Sequence, residues 1–231
     1  MTRLASKIIF LFCFVSLLNL VSCGTTIKTL VGFKNPKVET KATVLEYLDD
    51  NKIEHDTYFR TVKKEKDSIE IYRNLIFGFN SEILIFDKNG TKYCYNGNEE
   101  CSGVQLRSAF ENFESNYKPC IDTTKTVSLD LFLSRLQDKN GNPILKSDLP
   151  DADYYFFNCW NKYAGRSKMI KEDIDWLYEL NQNTSNKIEI ILINTDLLEE
   201  WGLEEGGELP LKFRKHEGGL RMTFGALPIK A

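Results

Sequence analysis

Two apolar runs with an amphipathic stretch between them constrain this chain most. Tyr154-Tyr155-Phe156-Phe157-Asn158-Cys159-Trp160 suits a buried central strand, because strands covered on both faces read as near-continuous apolar runs. Residues 187–194 (Lys-Ile-Glu-Ile-Ile-Leu-Ile-Asn) predict a second one. Between them Met169, Ile170, Ile174, Leu177 and Tyr178 recur along one face of a helix over about 167–182. Parallel strands joined through a helix imply α/β construction.

The rest of the chain falls into place around this unit. In the second half, a short helix is expected near 127–137. A polar turn at 138–143 leads into 144–149, and a hairpin at 209–214 and 220–224 turns across His216-Glu217-Gly218-Gly219. In the first half, a strand is expected at 26–33. Val38, Ala42, Leu45 and Leu48 mark a helix over 38–51, followed by a strand at 56–62. Residues 67–79 fit helix or strand. The run 82–86 turns through Asp87-Lys88-Asn89-Gly90 into 91–95, and Asn-Gly between apolar runs is a strong hairpin signal. Leu106, Phe110 and Phe113 mark a helix over 103–115. Residues 116–126 are polar, carry Pro119 and read as a linker. The expected organisation is a smaller α/β domain over 23–115, the linker, and a second domain over 127–231.

The N-terminus has a different character. Arg3 and Lys7 precede the apolar run 8–18, which ends in Leu20-Val21-Ser22-Cys23-Gly24. A basic flank, a short apolar core and small residues describe a secretory signal, and the run is short for a membrane span. Its end resembles the lipobox of bacterial lipoproteins. That resemblance implies removal of residues 1–22, lipid on Cys23, and anchorage of the chain to a bilayer in the cell envelope. The plainer alternative is an ordinary cleaved signal with a chance cysteine. The mature chain would hold 209 residues and a formal charge of −5, against −3 for the whole. Acidic and basic residues are interspersed, so there is no electrostatic case for nucleic-acid binding. His55 and His216 lie far apart and no His/Cys/Asp cluster has ligand spacing, so neither a metal nor a cofactor is expected.

With Cys13 in the signal and Cys23 on lipid, Cys94, Cys101, Cys120 and Cys159 remain. Cys94 and Cys101 flank a turn-rich stretch and could close a disulfide in an oxidising compartment, or stay as two unpaired thiols. Cys159, inside an apolar strand, reads as a buried small hydrophobe.

Over residues 127–228 the chain resembles the thioredoxin fold, in its membrane-anchored TlpA-like envelope subgroup. Asp138-Lys139-Asn140-Gly141-Asn142-Pro143-Ile144-Leu145-Lys146-Ser147-Asp148-Leu149 stands in place of the phrase preceding that family's first central strand. The following stretch, 157–168, stands in place of Phe-Trp-Ala-x-Trp-Cys-x-x-Cys. There Trp160 falls on the first tryptophan and Tyr163 on the second aromatic. Leu209-Pro210-Leu211 matches the cis-proline loop before an edge-forming hairpin. The resemblance implies a central mixed sheet flanked by helices. The first half carries a fainter echo, with Phe33-Lys34-Asn35-Pro36-Lys37 ahead of a helix as in a glutaredoxin-like protein. It is either a second degenerate thioredoxin-like module or an unrelated α/β cap.

Both redox cysteines are absent. Ala164 occupies the place of the attacking cysteine and Ser167 that of the resolving one. Disulfide exchange needs a thiolate, alanine has no nucleophile, and a serine hydroxyl without a base is a poor one. The family's closing helix is also missing after 227–231. The degenerate position comprises Trp160, Tyr163, Ala164, Gly165, Arg166 and Ser167, with Pro210 nearby. It is either a recognition patch for an extended peptide or small ligand, with Arg166 pairing a carboxylate, or a solvated loop with Ser167 as helix N-cap. Trp160, Trp176 and Trp201 read as packing residues, and Glu199, Glu200, Glu204 and Glu205 as a solvated acidic face. Three functions follow from these residues. They are a non-catalytic envelope lipoprotein binding a protein or peptide partner, a thiol–disulfide oxidoreductase using Cys94/Cys101 or Cys120 with Cys159, and a structural or immunity-type lipoprotein without a pocket.

Overall fold

The computed structural model describes residues 32–62, 84–97, 111–120, 127–182, 186–216 and 219–230, with the backbone alone at 213–216 and 219–222. In chain order the first half gives β1 (Val38–Glu39), α1 (Lys41–Asp50), β2 (Thr57–Arg60), β3 (Leu84–Asp87), β4 (Lys92–Tyr95), α2 (Phe113–Asn116) and β5 (Tyr117–Pro119). The second half gives α3 (Leu129–Leu133), β6 (Leu136–Gln137), β7 (Tyr154–Trp160), α4 (Ser167–Asn181), β8 (Ile188–Asn194), β9 (Leu197–Leu198), β10 (Leu211–His216) and β11 (Gly219–Phe224).

The unit β7–α4–β8 forms as its periodicity predicts. All seven residues of β7 pair with β8 in parallel, from Tyr154↔Ile188 to Trp160↔Asn194. The sheet grows from this pair in both directions, in the order β5-β4-β3-β7-β8-β2-β6. β2 continues the parallel set beside β8. β3, β4, β5 and β6 are antiparallel to their neighbours. The protein is therefore mixed α/β on one seven-stranded mixed sheet.

Helices cover both faces of that sheet. On one face Val44 and Leu48 of α1 and Ile170, Ile174 and Leu177 of α4 pack with Phe59, Phe156, Trp160 and Leu192. On the other, Leu129, Phe132 and Leu133 of α3 pack with Phe86, Phe157, Ile191 and Ile193. Trp201 is buried, as a packing role requires, while Trp176 lies half-buried on α4. The tetrapeptide Asp-Lys-Asn-Gly occurs twice and builds the same turn twice. Asp87 Oδ1 accepts from the amides of Asn89 and Thr91, and Asp138 Oδ1 accepts from those of Asn140 and Asn142. Gly90 and Gly141 supply the positive φ, at 90° and 89°.

Several expectations are corrected. The sheet draws β2–β5 from the first half and β6–β8 from the second, so residues 116–126 do not separate two sheets. Part of that expected linker is β5, and the next residue, Cys120, is disulfide-bonded to Cys94, with Cα atoms 5.1 Å apart. The expected Cys94–Cys101 bridge is thus replaced, because the β4–β5 pairing sets Cys94 opposite Lys118, two residues from Cys120. Cys101 lies outside the described residues, as do 63–83 and most of the 103–115 helix. Only 32–33 of the expected 26–33 strand is described, and it is turn and loop. The first long helix starts at Lys41, not 38. Thr40 and Thr43 cap each other reciprocally, leaving Val38–Glu39 to pair with Leu197–Leu198.

The 211–224 hairpin forms, but as a separate two-stranded sheet. The place beside β7 belongs to β3, whose Ile85 and Phe86 are both buried, one on each face. The Lys212-Phe213-Arg214-Lys215 run of β10 is too charged for such a place. Cys159, expected to be buried, has an exposed position on β7, although its surroundings desolvate the thiol enough to raise its pKa.

Candidate functional site

Parallel strands end together, and here β7 and β8 deliver Trp160 and Asn194 side by side at the edge where α4 begins. In open α/β sheets this carboxyl edge is where ligands bind. A cleft of about 520 Å³ opens there, lined by Lys34, Asn35, Lys37 and Glu39 from the N-terminal segment, Tyr47 from α1, Lys162, Tyr163 and Ser167 from the β7–α4 loop, and Asp196 and Glu208. The volume lies in the range of small-molecule and peptide-side-chain pockets.

Asp196 forms its floor. It is 1% exposed. Both its carboxylate oxygens accept from the Lys162 amide at 3.1 Å, and Oδ2 accepts from Asn194 Nδ2 at 2.7 Å. Burial pushes its pKa up to about 7 and Glu39 adds to the rise, against the hydrogen bonds from Asn194 and Lys162. The Lys162 ammonium turns away from it. Its Nζ pairs with Glu39 Oε2 at 2.8 Å, donates to the Thr43 carbonyl at 3.2 Å and lies 5.5 Å from the centre of the Tyr47 ring. Thr43 Oγ1 also donates to Glu39, at 2.6 Å. One lysine thus ties the β7–α4 loop to β1 and α1.

The sequence-predicted residues are distributed unevenly. Tyr163 and Ser167 line the cleft. Trp160 is a core residue, donating from Nε1 to Thr57 Oγ1 at 3.0 Å and stacking on Tyr47. Tyr163 is 3% exposed, and burial raises its phenol pKa well above the ordinary value. Its carbonyl accepts from the Lys34 amide at 2.9 Å. Gly165 is buried, Ala164 half-buried and Arg166 exposed. Arg166, not Ser167, is the N-cap of α4 and supplies no side-chain cap; Ser167 is the first helical residue, beside the Tyr47 hydroxyl.

Pro210 is exposed and does not line the cleft. There is no cis peptide bond among the described residues, so the expected cis-proline is trans. Its neighbours reach the cleft through the segment 34–36. Leu209 N donates to the Pro36 carbonyl at 2.8 Å and Leu211 N to Asn35 Oδ1 at 3.1 Å.

Sequence reasoning missed Asp196, Lys162, Glu39 and Tyr47. The readable signal was Asn194-Thr195-Asp196, a polar trio closing an apolar strand at the edge where sites form. Among the described residues no group of His, Cys, Asp and Glu could hold a metal ion. No helix there is long and apolar enough to cross a membrane. No family model, curated protein or solved structure matches the chain.

Proposed function

We propose that this is a lipoprotein of the bacterial cell envelope, anchored to the bilayer through Cys23, whose thioredoxin-like body binds an envelope protein or peptide without exchanging thiols. The observation that carries the reading is the cleft at the start of α4, which among the described residues holds Ser167 and no cysteine. Thiol exchange starts with a thiolate. Ala164 offers no nucleophile, and among the described residues no histidine lines the cleft to activate Ser167. Cys94 and Cys120 are joined to each other. Cys159 projects from the opposite face of β7 to Trp160 and is not among the residues that line the cleft. What is left is a concave, mixed-charge surface with aromatic walls at Tyr47 and Tyr163, suited to holding a partner.

Two measurements on the detergent-solubilised protein test this. Insulin reduction is expected at the uncatalysed rate, and catalysed turnover would overturn the reading. Crosslinking in envelope extracts is expected to capture a partner that Ser167→Trp, which fills the cleft from the α4 side, no longer captures. Identical capture by both proteins would place binding elsewhere.

A further inference from the structure

The groove beside the cleft is already filled, and what fills it is this chain. Residues 32–36 run between the β7–α4 loop and the segment leading into β10, from a turn at Gly32. On one side the Lys34 amide donates to the Tyr163 carbonyl at 2.9 Å, and the Phe33 ring meets the Tyr163 ring edge-on at 6.0 Å. On the other, the Pro36 carbonyl accepts from Leu209 N at 2.8 Å and Asn35 Oδ1 from Leu211 N at 3.1 Å. The antiparallel alignment continues through Lys37↔Glu208 and the Val38 amide, which donates to Gly207 O at 2.8 Å. Gly32 completes the fit. Its φ is +76°, and a Cβ there would lie 2.4 Å from Arg166 Cγ, so only glycine lets the strap lie against the start of α4.

The strap is fixed in the core at its Val38 end. Val38 is buried and pairs with Leu197 of β9, inside the core. Among the described contacts of residues 32–36 are two backbone-to-backbone hydrogen bonds and one through the Asn35 side chain. An extended peptide with the same donors and acceptors can reproduce such bonds. Lys34 and Asn35 are also walls of the cleft, so moving the strap reshapes the site.

We propose that residues 32–36 are a displaceable strap, a built-in occupant that keeps the groove between Tyr163 and Leu209 closed until a competing extended segment takes its place. The inference rests on the reading of this edge as the binding site. Because the strap is tethered at Val38, its effective concentration is high and an outside peptide competes poorly against it.

The test compares the full-length wild-type protein in detergent with Gly32→Val/Asn35→Ala. The double variant removes one hydrogen bond and forces a Cβ against Arg166. Asn35→Ala alone serves as the milder second variant. The probe is a fluorescent synthetic peptide of sequence Val-Gly-Phe-Lys-Asn-Pro-Lys-Val, copied from residues 31–38. In the wild type, the Lys34 amide is expected to be protected from hydrogen exchange. In the double variant it exchanges at least ten-fold faster while the Val38 amide stays protected, and the peptide binds at least ten-fold tighter than to wild type. Asn35→Ala moves both readouts the same way by less. Peptide affinity equal in wild type and variants despite a released Lys34 amide overturns the strap. So does a Lys34 amide that exchanges freely in the wild type, or stays protected in both variants. Tight peptide binding to the opened variant, with no envelope partner captured by either protein, would sink the proposed function and leave the strap standing. Equal partner capture by wild type and opened variant would do the reverse.

Discussion

Lys162 Nζ stands 2.8 Å from Glu39 Oε2, and the two side chains are 20% and 14% exposed. This pair joins the loop after β7 to the strand before α1. Removing one member strands the other in a mostly dry site. Lys162→Met and Glu39→Ala are each expected to cost about 2–3 kcal/mol in denaturant unfolding, below the range for a fully buried pair because some water reaches this one. The double variant is expected to cost clearly less than the sum of the two, since neither charge is then left alone. Additive losses would show that the pair carries no coupling.

Asp196 gives the protein a pH signature. Its folded-state pKa of about 7 lies above the ordinary carboxylate value, so between about pH 4 and 7 the folded state holds a proton that the unfolded chain has released. Stability therefore falls as pH rises through that window and levels off above it, by on the order of 2–4 kcal/mol. Asp196→Asn carries no titrating group and is expected to lose this slope, whatever it costs at a single pH. Urea midpoints at pH 4.5, 6 and 7.5 for both proteins check it. Parallel curves would mean that the carboxylate ionises freely in the fold.

Cysteine reactivity separates the described thiols. Alkylation before reduction is expected to modify Cys159, which is exposed, faster as pH rises because desolvation raises its thiol pKa, and to reach Cys94 and Cys120 only after reduction. Cys94→Ser/Cys120→Ser opens a loop spanning 26 residues and is expected to cost about 3 kcal/mol in the chain-entropy picture. Peptide mapping by mass spectrometry reads the first outcome and thermal unfolding the second.

The anchor has its own test. Cys23→Ala is expected to abolish incorporation of labelled palmitate and to move the protein out of the membrane fraction. Undiminished labelling would place the lipid elsewhere or exclude it.

The βαβ unit was legible because its signals are local. A seven-residue apolar run, a helical stripe and a second run leave little choice of structure. The 87–90 turn was legible for the same reason, since Asp87 and Gly90 act within five residues. What escaped depends on distance in sequence. Nothing local in Ile85-Phe86 says that these residues lie beside Tyr155 and Phe156, about seventy positions later, and not the 211–224 hairpin. Cys94 chose Cys120 over Cys101 because β5 pairs with β4, and β5 was hidden in a polar stretch with a proline. Tyr163 and Ser167, singled out in the sequence, do line the cleft. Asp196 and Glu39 were not singled out, because an isolated acid gains meaning only when folding buries it. The strap reads in sequence as an unremarkable segment ahead of a helix.

A sheet whose neighbours come from opposite halves also sets the order of events during folding. β3 has β7 as one flank and β2 has β8, so the first hundred residues emerge with sticky edges and no partner to close them. Such long-range pairing is slow and leaves the nascent chain open to aggregation. The inner strands of the sheet therefore gain their last partner only once residue 194 has been made.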